Sequence, residues 1–192
     1  MPDNATVRPL ALFDRDGVLN RDSGYPHRPD QIEWIEGALA ALALVRAKGY
    51  RTVVVTNQSG VARGFFDEAD VEALHAWMAE EILRAGGQVD AFYYCPFHPD
   101  APLERYRVDH EDRKPRPGML IKALARFPTD REASFMVGDR QSDLDAAAAA
   151  GVAGHLFTGG ALDRFVDEIL ANICSSRGAP LAGSASESSR GG

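Results

Sequence analysis

Leu10-Ala11-Leu12-Phe13-Asp14-Arg15-Asp16-Gly17-Val18-Leu19-Asn20 is the stretch that decides the reading of this chain. A short apolar run closed by a turn signal reads as a buried strand. Asp14 and Asp16 then stand at its carboxyl end. Two carboxyl groups placed this way can divide one reaction. Asp14 can attack phosphorus and form an aspartyl-phosphate, which splits one difficult displacement into two. Asp16 can give a proton to the leaving oxygen and later take one from the attacking water. Gly17 permits the tight turn that aims Asp16 back at the phosphate. An aspartate-rich turn after a strand is common by itself, so the case depends on what the rest of the chain brings to the same edge.

Outward from this strand, the pattern alternates. Ala38–Lys48 is rich in Ala and Leu and reads as a helix ended by Gly49. Arg51–Thr56 is β-branched and apolar, a second buried strand. Asp67 is placed to cap a helix running to about Arg84, closed by Gly86-Gly87. Ala91–Cys95 is a third strand, and Gly118–Arg126 a short helix entered from Pro117. Ala133–Val137 is a fourth strand, Ser142–Ala150 a helix, Ala153–Phe157 a fifth strand and Asp163–Ile173 a closing helix. Repeated strand–helix units predict an α/β fold, a three-layer sandwich in which helices cover both faces of a parallel sheet. Such sheets bind ligands beyond the carboxyl ends of their strands, which is where Asp14, Thr56 and Asp139 all fall. The long segments Arg21–Gly37 and Pro96–Pro117 leave this same edge and are expected to be functional loops. The domain is expected over residues 1–174, with the Ser/Gly/Ala-rich residues 175–192 as a disordered tail.

Each remaining motif adds a chemical group. Thr56, in Val55-Thr56-Asn57-Gln58-Ser59-Gly60, can donate its hydroxyl to a non-bridging phosphate oxygen, with turn amides beside it. Lys114, in Arg113-Lys114-Pro115-Arg116-Pro117-Gly118, can neutralise the phosphate and the nucleophile together, and the prolines limit the entropy cost of placing it. Asp139, in Gly138-Asp139-Arg140-Gln141-Ser142-Asp143, would complete an oxygen-rich site with the Asp14 carboxylate and the Asp16 backbone carbonyl. Magnesium prefers such hard oxygen ligands and would screen the repulsion between Asp14 and the phosphate. Asp143 has two open roles, support of the site through water or capping of its helix. Trp34 and Trp77 read as packing residues, His75 as structural or solvated, and His27 as a loop residue near the active edge.

Composition narrows the class. The chain of 192 residues carries a formal net charge of −7, which argues against non-specific nucleic-acid binding. No run is long and apolar enough to span a bilayer, and the first residues show no secretory signal. Cys95 and Cys174 have no paired spacing, so a disulfide framework is not expected and the cytoplasm is the simplest location. No exposed apolar stripe asks for a partner, and a monomer is expected.

The motifs, in this order, resemble those of the haloacid dehalogenase-like phosphatases, over roughly residues 8–158. A finer resemblance lies in Asp14–Asn20, Gly24-Tyr25, Thr56–Gly64, Tyr94-Cys95-Pro96 and Arg113–Met119. These look like the D-glycero-D-manno-heptose 1,7-bisphosphate 7-phosphatases, whose nearest relatives are the histidinol-phosphate phosphatases. The resemblance implies a Rossmann-like fold with a minimal cap and a magnesium-dependent enzyme that removes the 7-phosphate of a small sugar bisphosphate, on the route to the heptose of lipopolysaccharide. It implies Asp14, Asp16, Thr56 and Lys114 as catalytic residues, Asp14, Asp16 and Asp139 at the metal, and Asn57, Arg63 and Arg113 as substrate contacts. Histidinol phosphate or another small sugar phosphate is the alternative substrate. A phosphomutase would need a larger cap to exclude water, and a non-catalytic phosphate-binding protein would lack one of the catalytic groups. One departure stands out. Relatives often hold a structural zinc with three cysteines and a histidine in the loop after the third strand. Here only Cys95 keeps its ligand identity, while Phe97, His110 and Asp112 occupy the other positions. A Cys/His/Asp substitute site using His98 is the alternative, but structural zinc sites favour cysteine-rich sets, so no zinc is expected, and Phe97 and Tyr106 are expected to help hold the loop.

Overall fold

Leu10 and Leu12 of β1 (Leu10–Phe13) face one side of the sheet and Ala11 and Phe13 the other, and all of them are fully buried. A strand buried on both faces needs a covering layer on each. In the computed structural model, which describes residues 6–178, those layers are helical. The chain continues through α1 (Ala38–Ala47), β2 (Arg51–Asn57), α2 (Ser59–Arg63), α3 (Glu68–Arg84), β3 (Ala91–Cys95), α4 (Gly118–Arg126), β4 (Phe135–Gly138), α5 (Gln141–Ala150), β5 (Ala153–Leu156) and α6 (Leu162–Gly178). The strands are parallel in the order β3-β2-β1-β4-β5. Helices α1, α3 and α6 pack on Ala11, Phe13, Val54, Phe135 and Val137. Helices α4 and α5 pack on Leu10, Leu12, Val53, Val55 and Met136. Burying one such side chain is worth about 1.5–3 kcal/mol, so the two core layers fix the strand ends independently of the loops above them.

The strand order reverses direction on either side of β1, which makes the β1–β4 boundary the switch point where α/β sheets take ligands. The capping expected of Asp67 is present: it accepts from Asp70 N at 3.0 Å, and Asp70 returns the bond to Asp67 N at 2.9 Å. Three local expectations are corrected. The fourth strand starts at Phe135 rather than Ala133, because Ser134 turns back and its hydroxyl accepts from Leu10 N at 2.8 Å. The segment after β2 is a helical turn, α2, closed by Gly64 with φ of 75°. The last helix runs on to Gly178 instead of ending at Ile173. Residues 175–178 are therefore helical rather than tail, with Ser175 Oγ donating to Ala171 O and Arg177 paired with Asp130. The rest of the expected tail lies outside the described residues.

Both long segments return to the sheet edge. Arg21 N donates to Glu33 O and Ile35 N to Leu19 O, so residues 19–21 and 33–35 run side by side as a narrow flap. The loop after β3 carries a short 3-10 turn at Glu104–Tyr106. Among the described residues these two segments, not a separate domain, cover the active edge.

Candidate active site

The ends of β1 and β2 and the first turn of α5 meet at one cavity of roughly 290 Å³. Asp14 follows β1, Thr56 and Asn57 end β2, and Asp139 follows β4. Asp14 N still donates to Val137 O at 2.9 Å, so the nucleophile candidate is held in line with the sheet ladder. Asp14, Asp16, Thr56, Asn57, Arg113, Lys114 and Asp143 line the cavity, together with Gln58, Tyr25 and Arg140. Arg63, expected at the substrate, does not line it, and Asp139 opens instead on an adjoining cavity with Gly17 and Thr158.

Lys114 is only 4% exposed and spends all three ammonium donors: on Asp14 Oδ1 at 3.0 Å, Asp143 Oδ1 at 2.7 Å and Val55 O at 2.8 Å. Its backbone is pinned as well. Asn57 donates to Lys114 O and accepts from Lys114 N, each at 3.1 Å. Asn57 thus places the lysine, a role distinct from the substrate contact expected of it. Of the two roles left open for it, Asp143 takes the capping one, and it meets the site by a direct ion pair. Its Oδ2 accepts from Arg140 N at 3.0 Å, capping α5, while Oδ1 meets Lys114.

The cluster carries more negative charge than Lys114 can offset. Carboxylate oxygens of Asp14, Asp139 and Asp143 lie within 4.8 Å of one another. Burial pushes the Asp14 carboxyl up to about 6, against the pull of Lys114 and with the repulsion of Asp143 and Asp16 added. Asp139 is raised too, by burial first, despite Arg140 beside it. Burial alone would lower Lys114, but Asp14 and Asp143 outweigh it and hold the ammonium above its ordinary value. Asp139 Oδ1 is buried without a hydrogen-bond partner. Space around it is kept by Gly17, whose φ is +89° and where a Cβ would lie 2.3 Å from Asp139 Oδ2. An unsatisfied oxygen, a surplus of carboxylates and an all-oxygen donor set fit a magnesium ion.

Asp16 is held differently. Oδ1 accepts from Arg15 Nε at 3.0 Å and Asn20 Nδ2 at 2.9 Å, and Oδ2 accepts from Arg15 Nη2 and Gln58 Nε2, both at 2.9 Å. Gln58 also donates to Thr56 Oγ1 at 2.9 Å. The carboxylate is thereby set apart from the Lys114 cluster. Sequence reasoning missed Arg15 and Gln58. The available signal was a charged residue between two aspartates on a buried strand end, where exposure is not possible.

The loop after β3 is held by rings. Phe97 stacks on His110 at 4.4 Å and meets Tyr106 at 5.8 Å. Tyr106 and Tyr94 donate their hydroxyls to Glu68 at 2.7 and 3.0 Å, which ties the loop to α3. Cys95 Sγ faces Phe97 O at 3.9 Å, His98 Nδ1 accepts from Asp100 N, and Asp112 pairs with Lys122. Arg113 reaches back to Phe97 O at 3.2 Å, so the loop and the cavity share a residue. His27 stacks on Phe66, and Trp34 on Trp77.

The HAD-hydrolase-like family model matches residues 112–172. A D-glycero-beta-D-manno-heptose-1,7-bisphosphate 7-phosphatase of Rhodopseudomonas palustris is 44% identical over 170 residues, covering 88% of this chain and 94% of that protein. Among solved structures, a HAD-like phosphatase from Mesorhizobium loti superposes with a TM-score of 0.79 at 35% identity, covering 88% of each chain. The D,D-heptose 1,7-bisphosphate phosphatase of B. bronchiseptica, complexed with magnesium and phosphate, superposes with a TM-score of 0.71 at 33% identity, covering 88% of this chain and 98% of that one. Sheet topology, strand-end carboxylates and this degree of identity lead to one assignment: the chain is a phosphoric monoester hydrolase of the haloacid dehalogenase superfamily and belongs to the heptose 1,7-bisphosphate 7-phosphatase family.

Proposed function

We propose that the protein removes the 7-phosphate of D-glycero-D-manno-heptose 1,7-bisphosphate through an aspartyl-phosphate on Asp14. The observation that carries this reading is the Asp14–Lys114–Asp143 cluster beside the unpartnered Asp139 Oδ1. It is a carboxylate nucleophile held in place next to a site fit for a cation. The relatives' names supply the substrate class, and Arg113 on the cavity wall offers a cationic contact to a doubly anionic sugar.

Asp14 Oδ1 is fixed by Arg15 N at 2.7 Å and by Lys114. The other oxygen attacks phosphorus while the bond from phosphorus to the sugar oxygen breaks. Asp16 supplies the proton that the departing oxygen needs. Asp16 then takes a proton from water, the water oxygen attacks phosphorus, and the Asp14–phosphate bond breaks to release inorganic phosphate. Thr56 and the amides after β2 face the non-bridging oxygens, and Lys114 keeps Asp14 aimed. Asp14, Asp139 and the Asp16 carbonyl, with Asp143 behind, would hold magnesium, which would supply charge neutralisation at the phosphoryl oxygens. The ring contacts of Phe97, Tyr106 and His110 support a loop that stands without structural zinc. The free thiols of Cys95 and Cys174 suit a reducing compartment, and among the described residues no helix is long and apolar enough to cross a membrane.

The test is phosphate release with magnesium, comparing kcat/KM for both anomers of the heptose bisphosphate with histidinol phosphate. A preference of several orders of magnitude for the heptose is expected. Comparable rates on all three would remove the heptose assignment. In the same assay Asp14→Asn should cost on the order of 10⁴–10⁶-fold with the fold intact, and near-normal turnover would sink the covalent route.

A further inference from the structure

A fully buried arginine and a neutral histidine stand behind the acid–base aspartate, and the steps above use neither side chain. Arg15 is 0% exposed although its neighbours Asp14 and Asp16 face the cavity. Its guanidinium meets Asp16 edge-on with two hydrogen bonds, the fork geometry that only arginine offers a carboxylate. Nη2, which meets Asp16, also donates to Pro26 O at 2.8 Å and Gln58 Oε1 at 3.2 Å, while the far nitrogen, Nη1, lies 3.4 Å from His75 Nε2. His75 comes from the middle of α3 and is itself only 5% exposed, stacked on Phe92 at 4.5 Å with the Tyr94 ring edge-on to it.

We propose that His75, acting through Arg15, is a positioning residue for Asp16: the imidazole accepts a hydrogen bond from the guanidinium and fixes the plane in which Arg15 presents its fork to the carboxylate. This rests on the reading of Asp16 as the acid–base group. The chemistry of the pair sets the tautomer. Arginine has donors and no acceptor, so the ring nitrogen facing it must be unprotonated and the ring proton sits on Nδ1. Burial, with the Arg15 charge added, lowers His75 to about 3, so the ring stays neutral and keeps its acceptor. An Asp16 side chain free to rotate would meet the leaving oxygen or the attacking water in only some of its orientations. Arg15 and His75 remove that freedom from behind, without entering the cavity.

The experiment separates positioning from plain packing by the leaving group. A sugar alkoxide needs a proton as it departs, whereas p-nitrophenolate does not. For His75→Leu, kcat on heptose 1,7-bisphosphate should fall about 10- to 100-fold with KM within about twofold, a share of the roughly 10²–10⁴-fold a general acid–base group contributes. With p-nitrophenyl phosphate the same variant should show a burst of nitrophenolate at near wild-type rate, followed by slow turnover as the water step waits on Asp16. His75→Gln, whose amide oxygen can accept in place of Nε2, should recover most of the loss. Arg15→Lys, which keeps the charge but not the fork, should show the His75→Leu pattern. In the wild-type protein, ¹⁵N shifts of the His75 ring should report the Nδ1–H tautomer.

An equal slowing of both substrates without a burst, no rescue by His75→Gln, or an Nε2–H tautomer would each overturn the proposal. Asp16→Asn tells the two failures apart. Should it turn over the sugar phosphate normally, the acid–base reading itself falls. Should it collapse while His75→Leu stays at wild-type rate, only the positioning role falls.

Discussion

The two sides of the active site hold their carboxylates by opposite means. On one side Asp14, Asp139 and Asp143 crowd around a single ammonium, and one carboxylate oxygen is left without a partner. On the other, Asp16 faces one guanidinium, with the Asn20 and Gln58 amides completing its hydrogen bonds. The first is a cluster of like charges in a buried place, a state that burial makes costly. The second is balanced within itself. One strand end thus gives two aspartates different duties by giving them different company: Asp14 is left wanting a cation, and Asp16 is not.

Lys114→Met is the harshest test of that contrast. It removes the only ammonium from the crowded side and should lower kcat about 10²–10³-fold. It should also lower the stability of the metal-free protein by about 3–5 kcal/mol in urea unfolding, since buried carboxylates lose their counter-charge. Unchanged stability would mean that the crowded side is not under strain. Magnesium should then raise the Tm of the chelated wild-type protein, a stabilisation of about 2.7 kcal/mol at a hundredfold excess over Kd. Asp139→Asn should lose most of that response, while Gln58→Leu, on the balanced side, should keep it. Equal losses would dissolve the distinction between the sides. Magnesium alone should restore full activity after chelation; a further requirement for zinc would overturn the zinc-free reading of the loop.

The smallest effect concerns the wall behind Asp16. His75 titrates near 3 in the folded protein, below its free value of 6.5. Between those values the unfolded chain binds a proton that the folded one refuses, so stability from this group is present above pH 6.5 and is lost as pH falls toward 3. From pH 6.5 to 5.5 the wild-type protein should lose roughly 1 kcal/mol relative to His75→Gln. Parallel pH profiles of the two proteins would show that the ring is not held neutral.

The sequence made the strand ends legible because each is an apolar run stopped by a chemically pointed residue: Phe13 then Asp14, Val55 then Thr56, Gly138 then Asp139. Lys114 was legible from its proline frame. Arg15 and His75 were not, because they are 60 positions apart and their meeting depends on how α3 lies over β2 and β3. The hold of Asn57 on Lys114 was not legible for a related reason. Its partner is the backbone of Lys114, 57 positions on, and backbone groups leave no mark in a sequence. Helix α6 outran its expected end because Ser175 and Ser176 turn their hydroxyls back onto helix carbonyls, a local bond that composition read as a sign of a tail.

The order of the strands has a consequence for how the enzyme fails. β1, β2 and β4, which carry the site, are the three interior strands; β3 and β5 are the edges, and much of β5 is open to solvent. Sheets open from their margins, and interior amides exchange with solvent only through the largest openings. The catalytic groups are therefore mounted on the last part of the protein to come apart. Heat or proteases that nibble at the margins leave the centre working until the whole domain gives way, so loss of activity and global unfolding should coincide.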